Sequence, residues 1–108
     1  MRKINLLAGF VAVALVSQIG TAMAAEHSVS QKGMKFTPSK LTIKPGNTVV
    51  FANNSTMTHN VYSRSGKNKF DTGALKPGAS GKQTFAAAGS VRVRCAIHPK
   101  MKLKLTVK

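Results

Sequence analysis

Two runs near the C-terminus alternate between apolar and polar, mostly basic, residues, and they constrain the fold more than any other feature. Val91, Val93 and Cys95 share one parity against Arg92 and Arg94, while Met101, Leu103, Leu105 and Val107 share one against Lys102, Lys104 and Lys108. Successive side chains in a strand face opposite ways, so a period of two marks each run as a strand with one buried and one solvated face. Paired antiparallel, the two strands bring Cys95 and Met101 to the same end of a core. The residues between them, Ala96-Ile97-His98-Pro99-Lys100, then form a loop at that end with His98 at its tip.

That loop sets a thiol, an imidazole and a thioether at three-residue intervals: Cys95, His98 and Met101. Together these donors suit a soft or borderline ion. A second imidazole completes the two-His, one-Cys set with a weak axial Met that electron-transferring copper centres use. His59 is the candidate, because it opens the run His59-Asn60-Val61 and its parity with Val61 turns its ring towards the core. Taken singly, an inward His is more often a hydrogen-bonded structural residue, and a buried Cys more often a packing one. Their coincidence in one chain points instead to one copper ion held by His59, Cys95, His98 and Met101.

The pattern Cys-x2-His-x2-Met, with His59-Asn60-Val61 upstream, resembles the cupredoxins over roughly Met34 to Lys108. The loop spacing is similar to that of the amicyanin group; the plastocyanin and pseudoazurin groups share the Cys-x2-His half with a longer gap to the Met. The resemblance implies that His59, Cys95, His98 and Met101 bind one copper. It also implies that Asn60 ties the His strand to the Cys loop, holding ligand geometry from outside the ligand set. Two features depart from the family pattern. Relatives usually carry aromatic residues in the strand leading to the Cys, where this chain has Val91-Arg92-Val93-Arg94, and Lys100 replaces a common aromatic beside the Met.

At the other end, Met1-Arg2-Lys3, the apolar run Ile4 to Ile19 and Ala22-Met23-Ala24 read as a secretory signal peptide over residues 1–24. An uncleaved anchor is the other reading, for which the apolar run is short. Cleavage after Ala24 leaves residues 25–108 as one small copper-binding domain. Of the 17 Lys and Arg residues only Arg2 and Lys3 leave with the peptide, and the rest face just two carboxylates, Glu26 and Asp71. Such a field favours acidic partners. Nucleic acid is disfavoured, since the basic residues are dispersed and the aromatics form no base-stacking motif. The plainer role for many of these cations is to solvate exposed strands and block edge-to-edge pairing. A single Cys in an exported chain has no internal disulfide partner, so Cys95 must be protected, paired between chains, or ligated.

Turn signals recur at short intervals: Thr37-Pro38-Ser39, Lys44-Pro45-Gly46-Asn47, Asn53-Asn54-Ser55, Lys76-Pro77-Gly78 and Ala88-Gly89-Ser90. Between them strands are predicted near Ser28–Gln31, Lys40–Ile43, Thr48–Ala52, His59–Tyr62, Gly81–Phe85, Ser90–Cys95 and Lys102–Val107. Ser63 to Lys69 reads as a surface loop. Short, regularly spaced strands without a convincing helix predict an all-β Greek-key sandwich of seven to eight strands. A domain of this size buries only about 60–65% of its unfolded surface, so a bound metal adds to its stability.

The function expected is a periplasmic or otherwise exported electron carrier, with one copper cycling between Cu(I) and Cu(II) and no chemistry on a substrate. Its partner would be an acidic redox protein such as a cytochrome or dehydrogenase, with the carrier monomeric and free of the membrane after signal cleavage. The alternative is a copper carrier or scavenger that hands over the ion itself. A Cys-His hydrolase fits poorly, because the inward Cys95 lacks an evident orienting Asp or Asn. The electron is expected to cross at His98, amid Pro99, Met57, Met34 and Leu75, with Lys76, Lys100 and Lys102 around the patch. Cleavage after Ala24 would also expose Ala25-Glu26-His27, a sequence able to chelate Cu(II) in a square plane; the other reading places His27 in a tail or first strand.

Overall fold

The computed structural model describes residues 24–108. The expected signal peptide, Ala24 excepted, lies outside the described residues. The strands in chain order are β1 (Glu26–Lys32), β2 (Lys35–Thr37), β3 (Lys40–Ile43), β4 (Asn47–Asn53), β5 (His59–Ser63), β6 (Phe70–Leu75), β7 (Ser80–Phe85), β8 (Gly89–Arg94) and β9 (Lys102–Val107). They form a four-stranded sheet, β2-β1-β4-β7, and a five-stranded sheet, β3-β9-β8-β5-β6. The expected all-β sandwich is thus the architecture found. The pairs β1/β4 and β3/β9 run parallel and the other neighbours antiparallel, because the chain crosses between sheets before returning.

The alternation that marked β8 and β9 in the sequence sets their pairing. Val91 lies opposite Leu105 and Val93 opposite Leu103, and all four are buried together with Val49, Phe51 and Val61. A slip of one residue would turn every one of these side chains to solvent. At about 1.5–3 kcal/mol for each large apolar side chain buried, that register is strongly held.

The structure adds two strands, β2 and β6, to those the sequence predicts. Strand β2 is only three residues long, returning from a hairpin at Gly33, whose φ of +63° favours glycine. Strand β6 is hidden by its composition: Asp71 and Gly73 are poor strand formers, and the register with β5 shifts between Asn60 and Tyr62. Phe70 holds it to the core, stacking on Phe51 at 5.7 Å and meeting Phe85 edge-on at 5.4 Å. Since Phe51 and Phe85 belong to the four-stranded sheet, this aromatic trio joins the two layers.

Candidate metal centre

His59, Cys95 and His98 converge at one end of the sandwich. His59 opens β5 and is fully buried; Cys95 follows the last residue of β8 and is also buried. His98 stands in the β8–β9 loop, half-buried, where the N–H of Met101 donates to its carbonyl at 3.0 Å and closes a tight turn. The Nδ1 atoms of His59 and His98 lie 3.0 Å apart, and Cys95 Sγ lies 3.7 Å from the first and 3.9 Å from the second. The point equidistant from these three atoms is about 2.1 Å from each, close to the bond lengths that imidazole nitrogen and thiolate give to a first-row ion. The donor set therefore fits a copper ion in a three-cornered plane. Met101 is buried and immediately precedes β9.

The His59 ring is held from behind. Its Nε2 lies 2.9 Å from the Gly33 carbonyl at the β1–β2 hairpin. A carbonyl only accepts, so Nε2 carries the proton and Nδ1 presents its lone pair to the centre. Burial holds His59 below the usual imidazole range; the bond to Gly33 works against this shift, and the nearby His98 adds to it. Cys95 is restrained as well: the Asn60 N–H points at its sulfur at 3.4 Å, and the Asn60 side-chain oxygen accepts the Ala96 N–H at 2.6 Å. Asn60 thus occupies the tying position expected from the sequence. Pro99, which has no N–H, leaves the loop side of the sulfur without a backbone donor at that position.

Asn53 was visible in the sequence only as part of a turn, yet it organises the approach to His59. Fully buried, it donates through Nδ2 to the carbonyls of Met57 and Leu75, both at 2.8 Å, and accepts through Oδ1 from the Ser55 N–H and hydroxyl. An Asn followed two residues later by Ser is the signal that could have identified it. Asp71, in the sequence only one of two carboxylates beyond residue 24, accepts from Asn60 Nδ2 at 2.9 Å and from the Gly73 N–H at 2.8 Å.

Around His98 the surface differs in part from expectation. Among the described residues, Met34 and Ile97 are the exposed large apolar ones, at 57% and 50%. Leu75 is instead buried, because its pairing with His59 turns it into the core. A groove of about 350 Å³ beside the loop is lined by Met34, Lys35, Lys100, Met101 and Lys102, among others. His27 lies in β1, its Nε2 3.1 Å from Asn47 Oδ1, with its backbone in register with β4. That is the first-strand placement.

The profile of the family described as copper binding proteins, plastocyanin/azurin family, matches residues 23–108. The methylamine utilization protein MauL of Methylorubrum extorquens is 31% identical over 97 residues, covering 89% of this chain and 85% of that protein. Among solved structures, the Cu-containing nitrite reductase NirK from Thermus scotoductus superposes with a TM-score of 0.72 at 29% identity over 77% of this chain; the chain spans 22% of that reductase. An amicyanin mutant in its Cu(I) form superposes with a TM-score of 0.70 at 28% identity, covering 77% of this chain and 82% of that one.

Proposed function

The chain belongs to the plastocyanin/azurin family of copper-binding proteins, the cupredoxins, and from that premise we propose that it is a periplasmic electron carrier whose single type 1 copper is held by His59, Cys95, His98 and Met101. The observation that carries this reading is the triangle of two imidazole nitrogens and one sulfur whose centre lies at bonding distance from all three. The copper supplies a one-electron couple between Cu(I) and Cu(II). The chain supplies a fixed donor set: Gly33 orients His59, Asn60 restrains Cys95, and the turn from His98 to Met101 sets the two loop donors. His59, Cys95 and His98 would hold the ion as its strong donors, and the Met101 thioether would add a weak one. Little reorganises when an electron arrives, which suits transfer rather than chemistry on a substrate.

Residues 1–24 direct export, and residues 25–108 are the working domain. The half-buried His98, near the exposed Ile97 and Met34, is the point where the electron crosses, and the partner is an acidic redox protein such as a cytochrome or dehydrogenase. Adding Cu(II) to the exported form and recording visible and electron paramagnetic resonance spectra tests the proposal. An intense blue or blue-green colour that vanishes in Cys95→Ser is expected, since it arises from thiolate-to-copper charge transfer. A colourless protein with an ordinary tetragonal copper signal would refute it, and ready loss of copper to an apo-acceptor would favour carriage of the ion instead.

A further inference from the structure

The outer face of the five-stranded sheet carries cations in cross-strand register. Arg92 lies opposite Lys104, and Lys104 opposite Lys40; Arg94 lies opposite Lys102 on one side and Tyr62 on the other. Arg92, Arg94, Lys102 and Lys104 alternate with the buried Val91, Val93, Leu103 and Leu105, so they share the solvent face. Like charges directly opposite one another destabilise a sheet, and three such pairs adjoin here with no acid between them. The carboxylate on this row, Asp71, sits at the edge beyond Tyr62 and is taken up by Asn60 and Gly73.

Edge protection does not account for this arrangement. Lysines guard a sheet against aggregation when they stand on its edge strands, but β8 and β9 are interior strands of this sheet. Solubility would be served as well by the same charges set apart. Natural sequences break such local rules chiefly at functional or strained sites, and no backbone strain is seen in β8 or β9 beyond Gly89.

The face is also shaped. Two depressions lie side by side, one of about 380 Å³ bounded by Ser90, Lys102 and Lys104, the other of about 480 Å³ bounded by Tyr62, Arg64 and Ser65; Arg92 and Arg94 line both. The Arg64 guanidinium stands 5.5 Å from the centre of the Tyr62 ring. Arg takes a carboxylate in two parallel hydrogen bonds where Lys acts as a point charge, and Tyr and Arg are the side chains enriched at protein interfaces.

We propose that this face is a docking surface for an acidic protein, whose Asp and Glu side chains enter the two depressions against Arg92 and Arg94. The inference deepens the electron-carrier reading and rests on it in one respect: Arg94 and Lys102 flank the loop that carries His98, so a partner seated here adjoins the end where the electron is proposed to cross. A membrane surface fits less well, because the exposed large apolar residues, Met34 and Ile97, belong to the loop end and not to this face. Single-stranded nucleic acid would find one ring, Tyr62, where stacking platforms use several.

The test is binding of poly-L-glutamate to the Cu(I) holoprotein at physiological salt, followed by amide chemical shifts. The pair Arg92→Gln and Lys104→Gln is expected to weaken binding about fivefold, the effect of two exposed charge contacts. Removing the same charge from the loop end with Lys76→Gln and Lys100→Gln should weaken it clearly less. The pair Arg92→Lys and Arg94→Lys keeps the charge but loses the two-pronged grip, and should also weaken binding. Equal losses from the two Gln pairs, or wild-type binding by the Lys pair, would overturn the proposal. So would tighter binding to phosphatidylglycerol vesicles or to a single-stranded oligonucleotide than to polyglutamate of equal charge. The copper spectrum, recorded first on the same samples, tests the electron-carrier reading separately, so the two failures are distinguishable.

Discussion

Asn60 and Ala96 are joined by a 2.6 Å hydrogen bond in which the Asn60 side-chain oxygen accepts the loop N–H. The same residue points its backbone N–H at Cys95 Sγ and gives its side-chain N–H to Asp71. Strand β5, the end of β8 and the edge strand β6 are thereby locked together around the sulfur. An N–H aimed at a thiolate withdraws electron density from it, which favours the reduced metal.

Asn60→Ala removes the acceptor for Ala96 and frees the loop to shift. Stability is expected to fall by about 0.5–1.5 kcal/mol, the net worth of one hydrogen bond, because the Ala96 N–H left behind is only partly buried. As the loop loosens, the N–H···S contact lengthens and the reduction potential should drop. Urea unfolding and voltammetry on the same variant check both effects. A wild-type potential in a destabilised protein would show that Asn60 ties the structure without tuning the sulfur.

The candidate donors were legible because their chemistry lies within the strand pattern itself. Parity alone turns Cys95, Met101 and His59 inward, and the structure buries all three. What the sequence concealed is held by conformation. Strand β6 is carried by Phe70 and by a register shift opposite Asn60, neither of which alternation reveals. The tether on His59 is a backbone carbonyl at Gly33, 26 positions away, and a backbone group has no residue-type signature. The cationic ladder was visible as basic residues, but whether they faced one another depended on register.

The copper-free protein should lose stability in mild acid. Burial, chiefly, keeps the native His59 pKa below the ordinary value, which the unfolded chain takes at about 6.5. As pH falls below about 6.5 the unfolded state binds a proton that the native state does not, so the equilibrium shifts towards unfolding until the lowered native pKa is reached. Above that window the group contributes no pH dependence. The urea midpoint of the copper-free form should therefore be lower at about pH 5.5 than at about pH 7.5, with the slope reduced in His59→Gln. Identical slopes for the two chains would assign the effect to other groups.

Asn53→Ala should destabilise the fold and disorder the site together. It strips the buried Leu75 carbonyl of its side-chain donor and leaves the part-buried Met57 carbonyl with the Ser55 hydroxyl alone. The expected loss is about 2–3 kcal/mol. Because Met57 leads into His59, the ring should sample several positions, broadening the copper paramagnetic resonance lines. A variant with the wild-type midpoint and narrow lines would show that the turn holds itself.

Steering and holding should separate by position. Lys76 follows Leu75, the partner of His59 across β5 and β6, and Lys100 lies two residues beyond His98; both are exposed at the end where the electron is proposed to cross. Charges there act before contact, over a Debye length of about 10 Å at 0.1 M salt. Charge reversal, Lys76→Glu with Lys100→Glu, should lower the second-order electron-transfer rate with an acidic partner by about tenfold in dilute buffer. The gap should close as salt is added, and the copper spectrum should not change. Substitutions at Arg92 and Arg94, whose contacts form only once the partner is seated, should act instead on its dissociation. Stopped-flow rates across a salt series read the two effects apart. Wild-type rates for the loop pair at low salt would remove the steering claim while leaving the docking face and the copper site intact.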